Sequence, residues 1–373
     1  MGINFPESPT AGQVFRNGTT KYTYTDGRWL ANSAGRARQF NLFVNPQFRA
    51  SQQNGNTASA AIGYYPADQW AIYGSAATWA SAGRVASTTS NSSPYLLRVT
   101  VSVALASPAA ADYWGIFHFF EGHRVMPLGY GTALAKPSIV RFWVKAPAGT
   151  YGVVFRNSAN TRCCVFSYTI SAGQANTAVM QTLTLPPETT GTWPKETAVG
   201  MSMAFLFVGG TTYQTATLGT WQNGTFMVPT GITNGFASTS NVFEISDVGW
   251  YVDFDDSRFA PAWENRSEVD SLMESMRYWS KGMGGAGVSS SATAAGRVGF
   301  HHPVLMRAAP SLAIVGAPTL YDGSVNSAFT IAAPYSNPWY YEMDTTTSGL
   351  TAGRQVMLTA TAANYIACNA RLV

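Results

Sequence analysis

The sequence predicts a mainly β protein: a jelly-roll sandwich with a small N-terminal β unit, one short helix and a C-terminal β domain. Three observations predict it. Short segments of alternating or continuous apolar residues recur along the chain between turn-rich stretches. Charged residues make up only 11% of the 373 residues while aromatics reach 13%, which favours packed cores over disorder. A single stretch, 253–285, carries both helix start and helix stop signals.

Residues 1–38 form the opening unit. INFPESPTAGQVF is extended and punctuated by Pro6 and Pro9. KYTYTDGRWL alternates Tyr22 and Tyr24 into a turn at Asp26–Gly27 before Trp29, the pattern of a hairpin. A hairpin alone is marginal, so this unit needs support. Residues 33–39, SAGRARQ, read as a linker.

Residues 39–254 give strand after strand: FNLFVNPQF, LLRVTVSVAL, SIVRFWVKA, TYGVVFRN, CVFSYTI, AVMQTLTL, MSMAFLFV and NVFEISDVGWYVDF. Many short strands at this spacing predict an antiparallel sandwich or jelly roll. Residues 50–95, rich in Ser, Ala, Asn and Gly, read as long loops. Cys163 and Cys164 are neighbours, so on a strand they face opposite ways and do not pair with each other. With Cys368 the count is odd, which argues against a disulfide framework and for folding in a reducing compartment.

Residues 255–285 read as a helical joint. With Asp253 the stretch holds seven of the nineteen acids. Ser267 is the expected N-cap with Asp270 three residues on, and Arg277 and Lys281 suit the negative end of the dipole. Gly282, Gly284 and Gly285 are the expected stop. Val269, Leu272, Met276 and Trp279 follow a 3-4-3 spacing, widened by Met273. That seam either packs on its own domain or meets copies of itself around an oligomer axis. Residues 286–373 open with a connector, VSSSATAAG, and resume the β pattern in PVLMRAAPSLAIVG, AFTIAA, GRQVMLTATA and YIACNARLV.

The net charge of +4 is unevenly placed: residues 1–180 carry fourteen Lys/Arg against five Asp/Glu, and the rest nine against fourteen. The asymmetry favours head-to-tail contact or an acidic partner. The basic residues are scattered singly, so no nucleic acid is expected. MGINFPESPT has no signal-peptide pattern, and the apolar stretch near Val199–Val208 is too short to span a membrane.

Catalytic and metal patterns are sparse. His118, Glu121 and His123 lie close in FHFFEGH, but on a strand His118 faces away from the other two, so a packed histidine is expected there. His301–His302 precede Pro303 at a strand start and read as structural. No GxSxG elbow, P-loop or HExxH occurs. Glycan cleavage needs paired carboxylates, and the few acids in residues 1–180 offer little. Asp253, Asp255 and Asp256 read as a solvated or subunit-contacting strip. The expectation is no enzyme, no cofactor and no metal.

In sequence order, several motifs resemble one family. INFPESPTAGQVF with YTYTDGRWL resembles the N-terminal module recurring in tailed-bacteriophage fibre proteins. NLFVNPQF…YYPADQW, SIVRFWVKAPAGTYGVVFRN, TLPPETTGTWP, TWQNGTF and NVFEISDVGWYVD resemble the carbohydrate-binding-module-like jelly roll of phage tail fibre and spike proteins. RFAPAWENRSEVDSLMESMRYWSKG with its aromatic pair Tyr278–Trp279, HHPVLMRAAPSL and the closing GLTAGRQ…AANYIACNARLV are similar to the segments downstream of the jelly roll in that family. The resemblance implies a virion structural protein, commonly trimeric, assembled in the bacterial host cytoplasm. It would dock to other virion proteins through residues 1–38 and adhere to a bacterial surface glycan. The alternative is a purely structural component, a capsid-decorating head fibre or tail collar protein; a depolymerase is disfavoured by the acid count. Modules of this shape often hold calcium, for which Asp247 matches one ligand position while Asn45–Pro46–Gln47 supplies no acid. For a sugar contact the candidates are Trp339, Tyr340 and Tyr341 in SNPWYYEMD, of which at least one must point outward on a strand. Trp70, Trp79, Trp114 and Trp221 are further candidates.

Overall fold

The computed structural model describes residues 3–17, 20–25, 27–31, 40–88, 93–254, 260–261 and 263–372. The expected linker 33–39, Asp26 of the hairpin turn, and Asp255 and Asp256 of the acidic strip lie outside the described residues.

Two antiparallel sheets pack face to face. One has six strands in the order Trp221–Asn223, Arg162–Ile170, Gly149–Asn157, Val199–Gly209, Tyr113–Glu121, Trp70–Gly74. The other has five: Val179–Leu185, Ser138–Lys145, Val242–Val252, Tyr95–Val101, Ala80–Ala86. The crossovers between neighbouring strands make this a jelly roll. Alternation sets the core. On Tyr113–Glu121, the side chains of Trp114, Ile116, His118 and Phe120 point between the sheets, met by Val140, Phe142 and Val144 from the facing sheet. Phe43 stacks on Trp70 at 5.2 Å, and Phe120 meets Trp250 edge-on at 4.8 Å. Each fully buried ring of this kind contributes roughly 1.5–3 kcal/mol.

Two of these strands, Trp70–Gly74 and Ala80–Ala86, fall in the stretch expected to be loop. The second is ASAGRVA, poor in β-forming side chains. Its small residues are required by packing: Ala80 and Ala82 are fully buried, and a Cβ on Gly83 would lie 2.8 Å from the Cβ of Ala58. Cys163 and Cys164 face opposite ways as expected, yet both are buried, because the outer face of this sheet is itself partly covered. Among the described residues the three cysteines are free.

The N-terminal hairpin pairs Thr20–Thr25 with Arg28–Ala31, and Val14–Asn17 adds a third strand. Its support is local: Phe5 stacks on Trp29 at 5.3 Å and meets Phe15 and Tyr22 edge-on.

The helix runs from Glu268 to Met276, and the Ser267 hydroxyl accepts a hydrogen bond from the Asp270 amide at 3.0 Å. It ends well before the expected glycine stop. Trp279 therefore does not extend a helical seam. It lies on strand Trp279–Gly282, paired with Tyr365–Asn369, and is buried edge-on against Tyr365 at 5.9 Å. Sheet pairing and burial of Tyr278 and Trp279 outweigh another helical turn. The helix turns Ser271 and Ser275 inward, while Val269 is 63% and Met273 51% exposed, with Leu272 and Met276 half-buried. A second helix, the single turn Gly122–Val125, follows the strand at Glu121.

The C-terminal unit is a closed six-stranded barrel, Ala286–Val288, Ala294–His301, Tyr340–Thr347, Asn326–Ser336, Thr319–Tyr321 and Gln355–Thr359 in order. Beside it Tyr365–Asn369 is the middle of a three-stranded sheet between Trp279–Gly282 and Ser311–Val315. By hydrogen bonding, residues 279–282 thus belong to this unit rather than to a separate joint. Among the described residues no helix is long and apolar enough to cross a membrane.

Candidate functional site

The outer face of the six-stranded sheet carries a second set of aromatic side chains. On Tyr113–Glu121 the residues Tyr113, Phe117 and Phe119 alternate with the core set and point outward. Register then builds rows across the strands. Phe119 lies opposite Ser202, Ser202 opposite Arg156, and Arg156 opposite Cys163. The adjacent row runs Ala71, Phe117, Ala204, Val154, Val165.

Part of this face is roofed. Phe226, Met227 and Val228 close over Val154, Val165 and Leu206. The rest stays open as a cleft of about 240 Å³, whose lining includes Tyr73, Tyr113, Phe119, Arg156, Ser158 and Asn160. Tyr73 meets Phe117 and Phe119 edge-on at 5.4 and 5.6 Å, and Tyr113 meets Tyr213 at 5.3 Å. Burial raises the pKa of both Tyr73 and Tyr113, so these phenols remain neutral hydrogen-bonding groups. Among the described residues no carboxylate lines the cleft. Glu121, on the same strand face, is fully buried and engaged by Arg277 and Tyr278.

Among the described residues Arg156 is the one charged group in the lining. Its Nε is buried without a partner. The guanidinium carbon lies 5.9 Å from the centre of the Phe117 ring. Desolvation lowers its pKa, partly offset by Tyr113, Cys163 and Tyr213, yet a guanidinium stays charged. The arrangement suits a ligand with an apolar face for the rings and polar groups for the rim.

The predicted contact residues separate. Trp339 is 64% and Tyr340 37% exposed at the tip of the hairpin joining Asn326–Ser336 to Tyr340–Thr347, where the Asn337 side chain accepts hydrogen bonds from both of their amides. Tyr341 is fully buried against Phe300 and His302, so it cannot touch a ligand. Trp70 and Trp114 are core residues, while Trp79 and Trp221 are half-buried. His118 packs against Phe43, Trp70 and Phe120, on the opposite side of the strand from Glu121. His123 Nε2 lies 3.4 Å from Glu121 Oε2. Among the described residues no three His, Cys, Asp or Glu side chains converge. Asp247 is buried at a bulge with φ +46°, and the Gln47 amide donates to its Oδ1 at 3.4 Å.

The sequence reading missed the cleft. The available signal was the alternation in YWGIFHFFE, which places aromatics on both faces of one strand.

No protein-family model matches the sequence, and no curated protein matches it. Among solved structures, the chain is similar to the enzymatically active domain of tailspike protein 4 of bacteriophage CBA120, at 10% identity and TM-score 0.30, over 57% of this chain and 21% of that one. It is also similar to the family 11 carbohydrate-binding module of a cellulosomal cellulase of Clostridium thermocellum, at 12% identity and TM-score 0.26, over 53% and 96% of the two chains. A third similarity is to CBM4, at 10% identity and TM-score 0.27, over 56% and 98%. The chain thus spans about a fifth of the tailspike domain's length and nearly all of each module's. Likenesses this weak do not inform function.

Proposed function

We propose that this chain is a non-enzymatic, glycan-binding subunit of a phage virion fibre or spike, with the outer-face cleft as its sugar contact. The observation that carries the reading is the convergence of Tyr73, Tyr113 and Phe119 with Ser158, Asn160 and Arg156 on one open cleft. Rings offer stacking faces and the rim offers hydrogen bonds. Adhesion rather than cleavage is the reading favoured by a lining that, among the described residues, holds no carboxylate, where glycoside hydrolysis uses a pair. The virion assignment draws on the order of the sequence motifs, and a homotrimer on the exposed apolar side of the helix, Val269 and Met273. Residues 1–38 would be the docking arm.

A structural virion component without a receptor is the second reading. It draws on Phe226, Met227 and Val228, which roof the adjoining part of the same face as ordinary packing does. A bacterial glycan array separates the two. Under the first reading the wild-type chain binds a defined set of glycans and Phe119→Ala loses them. Absence of any wild-type binding would favour the second.

A further inference from the structure

We infer that the cleft selects a sugar bearing a carboxylate, a hexuronate or similar acidic unit, and that Arg156 is the group that reads it. This rests on the glycan-binding reading above and names the ligand class for the same site. A largely buried cation without a counter-charge is costly, and proteins pair such groups. Other withdrawn arginines of this chain are satisfied: Arg162 reaches Glu188, Arg266 reaches Glu274 and Arg277 reaches Glu121, while Arg84 and Arg307 donate to backbone carbonyls. Arg156 is different. Among the described residues it makes no ion pair, its Nε is buried and unpartnered, and it faces a cleft lined by no acid. Its neighbours across the sheet are Ser202 and Cys163, neither of which balances a charge.

The geometry specifies what would satisfy it. A guanidinium presents a planar fork that matches a carboxylate with two parallel hydrogen bonds, whereas a neutral sugar hydroxyl leaves the charge uncompensated. The rings of Tyr73 and Phe119 lie along the same cleft, positioned to take the apolar face of the sugar whose carboxylate meets Arg156. Ser158 and Asn160 border it with hydroxyl and amide groups. The 240 Å³ of space suits one unit held deeply rather than a long chain lying flat.

The test uses the full chain and three probes: oligogalacturonates, their carboxyl-reduced counterparts, and sulfated neutral oligosaccharides of the same length. Binding is followed by calorimetry at low and high salt. The acidic oligomers should bind most tightly and weaken as salt rises, while any binding of the reduced forms stays independent of salt. Arg156→Gln should lose roughly ten- to a hundredfold in affinity for the acidic oligomers and less than about twofold for the reduced ones. Arg156→Lys, which keeps the charge but not the fork, should fall between. Should Arg156→Gln not fold, the wild-type preference and the lysine variant still decide the matter. Equal binding of acidic and reduced oligomers, or equal binding of sulfated ones, overturns the carboxylate assignment and leaves the glycan reading standing. If none of the probes binds and a wider glycan array is blank, the glycan reading itself fails.

Discussion

Arg277 holds Glu121 with two parallel hydrogen bonds, Nε to Oε2 at 2.8 Å and Nη2 to Oε1 at 2.9 Å, across 156 residues of chain. The Tyr278 hydroxyl donates to the same carboxylate at 2.8 Å. Glu121 ends the strand that carries Phe117 and Phe119, so this contact ties the wall of the cleft to the C-terminal unit. Arg277→Ala would strand a buried carboxylate. The expected loss is about 3 kcal/mol in chemical denaturation, with Arg277→Lys recovering only part of it. A loss below about 0.5 kcal/mol, the size typical of an exposed pair, would show that the contact does not secure the junction.

His118 makes stability depend on pH. Burial lowers its pKa from 6.5 to about 3, with Arg124 adding to the effect. Between those values the unfolded chain takes up a proton that the folded chain refuses. Stability therefore falls as pH drops through that window, by at most about 1.4 kcal/mol per pH unit, and this contribution levels off below about 3. His302, also lowered by burial, acts in the same direction. In His118→Gln the slope between pH 6.5 and 4.5 should shrink. An unchanged slope in that variant would contradict the assignment.

The apolar side of the helix tests the assembly. Val269 and Met273 are one turn apart and exposed. If they meet copies of themselves at a trimer axis, Met273→Asp should dissociate the oligomer while leaving the β circular-dichroism signal intact, because clustered carboxylates resist desolvation. Sedimentation of an unaltered trimer, or a wild-type monomer at micromolar concentration, would remove the helix from the interface.

Much of this architecture was legible because alternation dictates which side chains face the core. Ser267 announced the helix start through its hydroxyl. The end was less readable, since Leu272, Met276 and Trp279 fit a helical stripe as well as a helix followed by a strand; only the pairing of Trp279 with Asn369 separates the two. Ala80–Ala86 was hidden because small side chains mask strand propensity where close packing requires them. The cleft escaped for a related reason. A strand apolar on both faces reads as doubly buried, and nothing in a linear sequence marks Arg156 apart from the other scattered arginines.

The N-terminal unit makes its own prediction. Phe5, Phe15, Tyr22 and Trp29 form a cluster within residues 3–31, and no ring contact joins it to the sandwich among the described residues. Deleting residues 1–38 should leave the remaining chain soluble and folded, yet unable to enter virions. Incorporation of the truncated protein into particles would overturn the docking role.

The central claim is that the outer-face cleft, rather than the exposed hairpin tip, holds the sugar. Calorimetric titration of the tightest array oligosaccharide into wild type, Phe119→Ala and Trp339→Ala compares them directly. Removing a stacking ring from the true site should cost roughly tenfold or more in affinity. The account predicts that loss for Phe119→Ala, with Trp339→Ala within about twofold of wild type. The reverse pattern, with binding lost at Trp339 and kept at Phe119, would contradict it.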